Sequence, residues 1–169
     1  MAELRIAGIV PESVVDGPGI RYTIFTQGCL HNCEGCHNPQ THDFNGGYLA
    51  DTDELLEQMK QDPLIKGMTF SGGDPFEQPT PLAELAAKVH AYGGDIITYT
   101  GYTYEELVEK SVEVPAVMDL LRETDVLIDG RFVLAERDLT LKFRGSKNQR
   151  VIDVKKSLEC GEIVTFEFE

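Results

Sequence analysis

Runs of strand character alternate with runs of helical period from residue 21 to residue 132, and this alternation narrows the fold more than any other feature. RYTIFTQG (21–28) has a continuous Tyr-Thr-Ile-Phe-Thr centre and reads as the first strand. DTDELLEQMKQDP (51–63) predicts a helix. Asp51 or Thr52 caps it, Leu55, Leu56 and Met59 form its apolar face, and Pro63 stops it. IKGMTFSGG (65–73) is a short strand ending in paired glycines. PTPLAELAAKVHAYGG (79–94) predicts a helix with proline near its start and Gly93 past its end. DIITYTGY (95–102) and DVLIDGRF (125–132) are strands. Between them lie two helical stretches, one starting at YEELVEK and the other VPAVMDLLRET (114–124). VIDV (151–154) and IVTFEFE (163–169) in the tail are strand-like.

Strand, loop and helix in rotation predict an α/β fold with a mostly parallel sheet. In such folds the binding groups gather where loops leave the carboxyl ends of the strands. The segment after residue 28, SGG (71–73) and DGRF (129–132) each follow an apolar strand, and TGY (100–102) closes another. All four are therefore expected along one sheet edge. A chain of 169 residues is expected to be a single domain, residues 1–169, with a core that needs no disulfide.

The formal charge is −14, from 15 basic and 29 acidic residues, which argues against a nucleic-acid surface. The basic residues gather late, at Lys142, Arg144, Lys147, Arg150, Lys155 and Lys156, and read as a solvated loop and helix face. No apolar run approaches the roughly 20 residues that span a bilayer, and MAELRIAGIV lacks the pattern of a signal peptide. The expected compartment is the cytoplasm.

Three of the four cysteines, Cys29, Cys33 and Cys36, fall within CLHNCEGC (29–36). In a reducing compartment clustered cysteines are metal ligands or catalytic groups rather than disulfides. Zinc would need a fourth ligand, and His31 or His37 would supply it from an awkward place beside or between the thiols. An iron–sulfur cluster is normally held by four thiolates. Three thiolates on a four-iron cluster leave one iron open to a small molecule, as an open position does at a catalytic metal.

The spacing C-x3-C-x2-C in a loop after a strand resembles the radical S-adenosylmethionine superfamily. DGPGIRYTIFTQGC (16–29) and CHNPQT (36–41) resemble the glycyl-radical-enzyme activating enzymes within it, and SGGDPF (71–76) resembles their methionine-binding glycine motif. TGY (100–102), DVLIDGRF (125–132) and FRGSKNQRVID (143–153) resemble the branch that acts on anaerobic ribonucleoside-triphosphate reductase. Many members of the superfamily carry an aromatic residue before the third cysteine. This chain has Gly35, a small residue, as that branch often does.

The resemblance implies a partial, open (β/α) barrel of the radical S-adenosylmethionine type, since a full eight-unit barrel needs about 250 residues. It implies a 4Fe-4S cluster on Cys29, Cys33 and Cys36, with S-adenosylmethionine on the open iron. Gly35, Cys36 and His37 would meet the adenine. Gly72, Gly73 and Asp74 would hold the methionine amino group, and Asp129 and Arg131 the ribose or carboxylate. Reductive cleavage would give a 5′-deoxyadenosyl radical that takes a Cα hydrogen from a glycine of the reductase. A low-potential electron donor such as flavodoxin is the second implied partner. An activase of another glycyl radical enzyme, such as pyruvate formate-lyase, is the alternative within the class. A non-catalytic iron–sulfur carrier or zinc module is the alternative outside it.

Several residues have plainer readings. Asp129 and Arg131 also suit an ion pair on a sheet end. Arg21 reads as a surface charge at a strand start, and RGSKNQR (144–150) as a polar turn. His42 and His90 read as ordinary, and Cys160 as a small buried hydrophobe.

Overall fold

The structure, a computed structural model, describes residues 3–13, 19–29, 45–138, 144 and 146–165. Its strands are β1 (Glu3–Ser13), β2 (Ile20–Thr26), β3 (Tyr48–Asp51), β4 (Ile65–Gly72), β5 (Asp95–Tyr99), β6 (Val126–Asp129) and β7 (Arg150–Asp153). Its helices are α1 (Thr52–Lys60), α2 (Pro79–Tyr92), α3 (Tyr104–Glu113), α4 (Pro115–Glu123) and α5 (Val154–Cys160).

The seven strands form one sheet in the order β3-β1-β2-β4-β5-β6-β7. Pairing is parallel across β2–β4, β4–β5 and β5–β6, and antiparallel at β1–β2, β1–β3 and β6–β7. Only β1 and β7 therefore run against the other strands, so the sheet is mostly parallel, as the alternation predicts. Among the described residues it does not close, and β3 and β7 are its two ends.

Local chemistry sets the helix limits. Asp51 caps α1, accepting from the Asp53 N–H at 2.9 Å. Helix α2 begins on Pro79 and stops at Gly93, whose φ of 105° is a left-handed value that glycine adopts without strain. Thr103 and Glu106 form a capping box on α3: the Glu106 N–H donates to Thr103 Oγ1 (3.1 Å) and the Thr103 N–H to Glu106 Oε1 (2.9 Å).

One sheet face carries Leu4, Ile6, Tyr22, Ile24, Met68, Phe70, Ile96, Leu127 and Ile152. The helices bring Leu55, Met59, Leu82, Leu85, Leu107, Leu120 and Leu121 into the same core. Ile97, Ile128 and Val151 form a smaller cluster, with Tyr99 and Val126 packed against it. These alternate along their strands with the helix-side residues, and so belong to the opposite face.

Several sequence expectations need correction. The run at residue 21 is the second strand, because Glu3–Ser13 precedes it. Gly8 and Pro11 obscure that strand, and its register with β2 slips near both residues. Val154 is helical rather than extended: Asp153 ends β7 and caps α5, accepting from the Lys156 N–H at 3.1 Å. Of IVTFEFE, Thr165 makes a single bridge to Ile152, and residues 166–169 lie outside the described residues. Cys160 is exposed at the end of α5.

A further correction is Arg21, which is fully buried. Its guanidinium donates to Thr69 Oγ1 (2.7 Å) and the Met68 carbonyl (2.8 Å) and pairs with Asp95 Oδ1 at 2.7 Å. It thus cross-links β2, β4 and β5 at the end where those strands begin. Gly67 leaves the room: a Cβ there would lie 2.3 Å from Asp95 Oδ1.

His90 on α2 sits between two carboxylates, with Nδ1 3.0 Å from Glu123 Oε2 and Nε2 2.7 Å from Asp125 Oδ2. Burial works to lower its pKa, but the bonds to Asp125 and Glu123 outweigh it and the net shift is upward. The folded state therefore holds the proton better than the unfolded chain. This stabilisation is complete below the unfolded value of about 6.5 and is lost as pH rises through the higher folded value. Thermal melts should show His90→Gln costing more stability near pH 6 than near pH 8.5.

Candidate active site

The parallel strands β2, β4, β5 and β6 all end on the same sheet edge, so four turns meet there: Gln27–Cys29, Gly73–Asp74, Thr100–Thr103 and the turn at Gly130. Hydrogen bonds join them into one rim. The Gly73 N–H donates to the Thr26 carbonyl and the Asp74 N–H to the Gly28 carbonyl, both at 2.8 Å, tying β4 to β2. The Gly130 N–H donates to the Tyr102 carbonyl at 2.9 Å, tying β6 to β5.

Asp74 joins the two halves. It is fully buried. Oδ1 accepts from the Phe76 N–H (3.0 Å), Oδ2 from the Gly101 N–H (3.0 Å), and the Thr100 hydroxyl lies 2.9 Å from both oxygens. This carboxylate caps the short turn at Pro75–Glu77 and binds the β5 turn to the β4 turn. Its charge is compensated by donors from its own and neighbouring backbone, the arrangement a buried carboxylate requires.

Gly72 has its own structural cause. Its φ is +95°, and a Cβ would lie 2.4 Å from the Thr26 N. Gly72 therefore lets β4 close against β2, whatever ligand it also meets.

Tyr102, Glu77 and Lys110 form a polar group beside this turn. The Tyr102 hydroxyl donates to Glu77 Oε1, Lys110 Nζ lies 3.2 Å from the Tyr102 oxygen, and the ammonium sits 4.8 Å from the ring centroid. Burial first, then the bond to Glu77, pushes the Tyr102 pKa upward, and the charges of Glu77, Asp74 and Cys29 add to the shift. Tyr102 therefore stays protonated, and Cys29 lies within its electrostatic reach.

Asp129 is almost fully buried. Its Oδ1 accepts from Arg150 Nε (3.0 Å), and its Oδ2 from Arg150 Nη2 (2.5 Å) and the Tyr104 N–H (2.8 Å). Arg150 also reaches Glu105 at 2.6 Å. Arg131 is half exposed and lies 3.5 Å from Glu106. Of the late basic residues, Lys147, Lys155 and Lys156 are exposed, as a solvated face requires, whereas Arg144, which donates to the Gln149 carbonyl, and Arg150 are partly buried; Lys142 lies outside the described residues.

Of the residues expected from sequence, Cys29, Gly72, Gly73 and Asp74 come together on the rim. Asp129 and Arg131 stand at the end of β6 on the same edge. Cys33, Cys36, Gly35 and His37 lie outside the described residues, as do His31 and His42. Among the described residues no group of three His, Cys, Asp or Glu side chains is arranged to hold a metal ion. Cys29 is half-buried at the open end of β2, and its soft thiol chemistry fits an iron–sulfur cluster. Sequence reading gave no role to Glu77 or Lys110, nor to Thr100 and Arg150 individually within TGY and RGSKNQR. Glu77 directly follows SGGDPF, while Lys110 lies inside α3 and Arg150 starts β7.

The pattern of the 4Fe-4S single cluster domain matches residues 15–152, and the chain belongs to that class of iron–sulfur domain. Curated relatives narrow the assignment. The chain is 38% identical over 156 residues to the anaerobic ribonucleoside-triphosphate reductase-activating protein of Salmonella typhimurium, covering 88% of this chain and 97% of the relative. It is 39% identical over 150 residues to that of Escherichia coli K12, covering 83% and 93%. It is 35% identical over 151 residues to that of Enterobacteria phage T4, covering 85% and 90%. The chain belongs to the family of anaerobic ribonucleoside-triphosphate reductase-activating proteins.

Asp74→Ala removes the acceptor for donors from the β4 and β5 turns. Denaturant melts should show a loss of at least about 3 kcal/mol, while Thr100→Val, which deletes one donor, should lose about 1–2 kcal/mol.

Proposed function

We propose that the chain is a radical S-adenosylmethionine oxidoreductase that installs a glycyl radical on anaerobic ribonucleoside-triphosphate reductase. The observation that carries this reading is the meeting of Cys29 with Gly72, Gly73 and Asp74 on one strand-end rim. Cys29, where the cysteine motif starts, and Gly72, 43 residues further on, both lie on that rim. The family membership and the 4Fe-4S domain match support the same conclusion.

In this reading Cys29, Cys33 and Cys36 hold a 4Fe-4S cluster with one iron left for S-adenosylmethionine. When bound, the pair supplies a one-electron reductive cleavage whose product removes a glycine Cα hydrogen. The protein's work is to bind, orient and shield. Gly72 and Gly73 present bare backbone to the methionine amino group, and the buried Asp74 carboxylate lies behind them as a fixed negative charge. Gly35, Cys36 and His37 meet the adenine. Arg131, half exposed and only loosely paired, serves the carboxylate. Asp129, with both oxygens bonded inside the fold, orders the rim from behind.

No side chain is needed as acid or base, in keeping with a protonated Tyr102 and an Asp74 committed to backbone donors. The open sheet agrees with a partial barrel that admits a loop of a large protein substrate. A low-potential electron donor such as flavodoxin is the second partner, and the cytoplasm the compartment. Among the described residues no helix is long and apolar enough to cross a membrane.

The test mixes anaerobically reconstituted protein, reductant and S-adenosylmethionine with either anaerobic ribonucleotide reductase or pyruvate formate-lyase. Electron paramagnetic resonance should give a glycyl-radical doublet with the reductase alone. A doublet with the lyase alone would move the assignment to another glycyl radical enzyme. Cys29→Ser should abolish the doublet and lower the bound iron.

A further inference from the structure

DGRF (129–132) ends 12 positions before RGSKNQR (144–150) begins and the two read as separate turns in the sequence, yet they are two halves of one clamp. The Gln149 side chain donates to the Gly130 carbonyl at 3.0 Å, and the Asn148 side chain to the Arg131 carbonyl at 2.8 Å. Ser146 Oγ bonds to Asn148 Oδ1 (2.6 Å) and accepts from the Val133 N–H (3.2 Å). Arg150 completes it with a two-pronged bond to Asp129. A planar guanidinium fork on a carboxylate fixes direction as well as distance.

The clamp acts on the β5 turn. Asp129 Oδ2 accepts from the Tyr104 N–H, and the Gly130 N–H donates to the Tyr102 carbonyl. The same turn supplies Thr100 and Gly101 to Asp74, whose own N–H reaches the Gly28 carbonyl beside Cys29. An unbroken path of hydrogen bonds thus runs from Arg150 through Asp129, the 100–104 turn and Asp74 to the neighbour of Cys29.

We propose that Arg150 is a positioning residue for S-adenosylmethionine: its fork on Asp129 fixes the β5 turn, which in turn fixes Asp74 and the glycine turn at Gly72 and Gly73. Arg150 touches neither cofactor nor substrate. This rests on the reading of the Gly72–Asp74 turn as the S-adenosylmethionine site. It gives RGSKNQR a role on the cofactor side of the molecule.

The second contact of Arg150 provides the control. Glu105 is exposed and accepts from Nη1 and from Nη2, which it shares with Asp129; each Nη carries two hydrogens, so Glu105→Gln should leave Nε and the other Nη2 hydrogen on Asp129.

Equilibrium dialysis of labelled S-adenosylmethionine against anaerobically reconstituted proteins tests the proposal, with iron content and thermal midpoint measured on the same samples. Arg150→Met should bind about tenfold more weakly at wild-type iron content. Arg150→Lys, which keeps the charge without the fork, should recover part of the affinity, and Glu105→Gln should bind as the wild type does. Wild-type affinity in Arg150→Met overturns the proposal. So does a loss of binding matched by lost iron or shared equally by Glu105→Gln. If Arg150→Met does not fold, Arg150→Lys decides: affinity equal to wild type overturns the role of the fork. Failure of the wild type to bind overturns instead the reading of the site.

Discussion

The buried carboxylate of Asp74 ties the turns after β4 and β5 together at the carboxyl edge of the sheet. Asp74 has no solvent to stabilise its charge, so neighbouring donors must do it. Those donors are the Phe76 and Gly101 amides and the Thr100 hydroxyl, which belong to the turns after β4 and β5. Satisfying Asp74 therefore fixes how the two turns meet. Its own amide extends the order to Gly28, and the Gly130 amide extends it to the end of β6. Strand-end loops are usually the variable part of an α/β fold, but here the charge requirement makes them one piece.

The opposite end of the same strands is built on a cation. Arg21 is as deeply buried as Asp74 and binds Thr69, the Met68 carbonyl and Asp95. Together the two residues pin β2, β4 and β5 at both ends, while Tyr22, Ile24, Met68, Phe70 and Ile96 pack against the helices between them. Taking away their partners would leave Arg21 or Asp74 buried without compensation, which is why those contacts are costly to change. Strands pinned in this way suit the proposed task of orienting a cofactor rather than moving protons.

The parallel strands, the helices between them and the shared edge were legible because each strand end carries its own punctuation: Gly28 before Cys29, Gly72-Gly73, Gly101 and Gly130. Local sequence could not show what those turns bond to. Asp129 and Arg150 are 21 residues apart, and Asp74 and Thr100 are 26 apart; only folding brings them together. Arg21 was misread for the same reason, since a charged residue at a strand start is ordinarily exposed and its partners lie on two other strands. Strand β1 was hidden by Gly8 and Pro11, which break the alternation that marks a strand. Cys160 looked like a small hydrophobe because composition does not reveal that α5 ends at the surface.

The central claim is that the iron–sulfur cluster keeps an open iron for S-adenosylmethionine. The most direct measurement is the electron paramagnetic resonance spectrum of the reduced, reconstituted protein with and without S-adenosylmethionine, in the absence of any partner protein. A ligand on the open iron changes the cluster's electronic structure, so the account predicts altered g values that titrate with added S-adenosylmethionine. A spectrum that stays the same at saturating concentration would contradict it and leave an electron carrier with a fully ligated cluster.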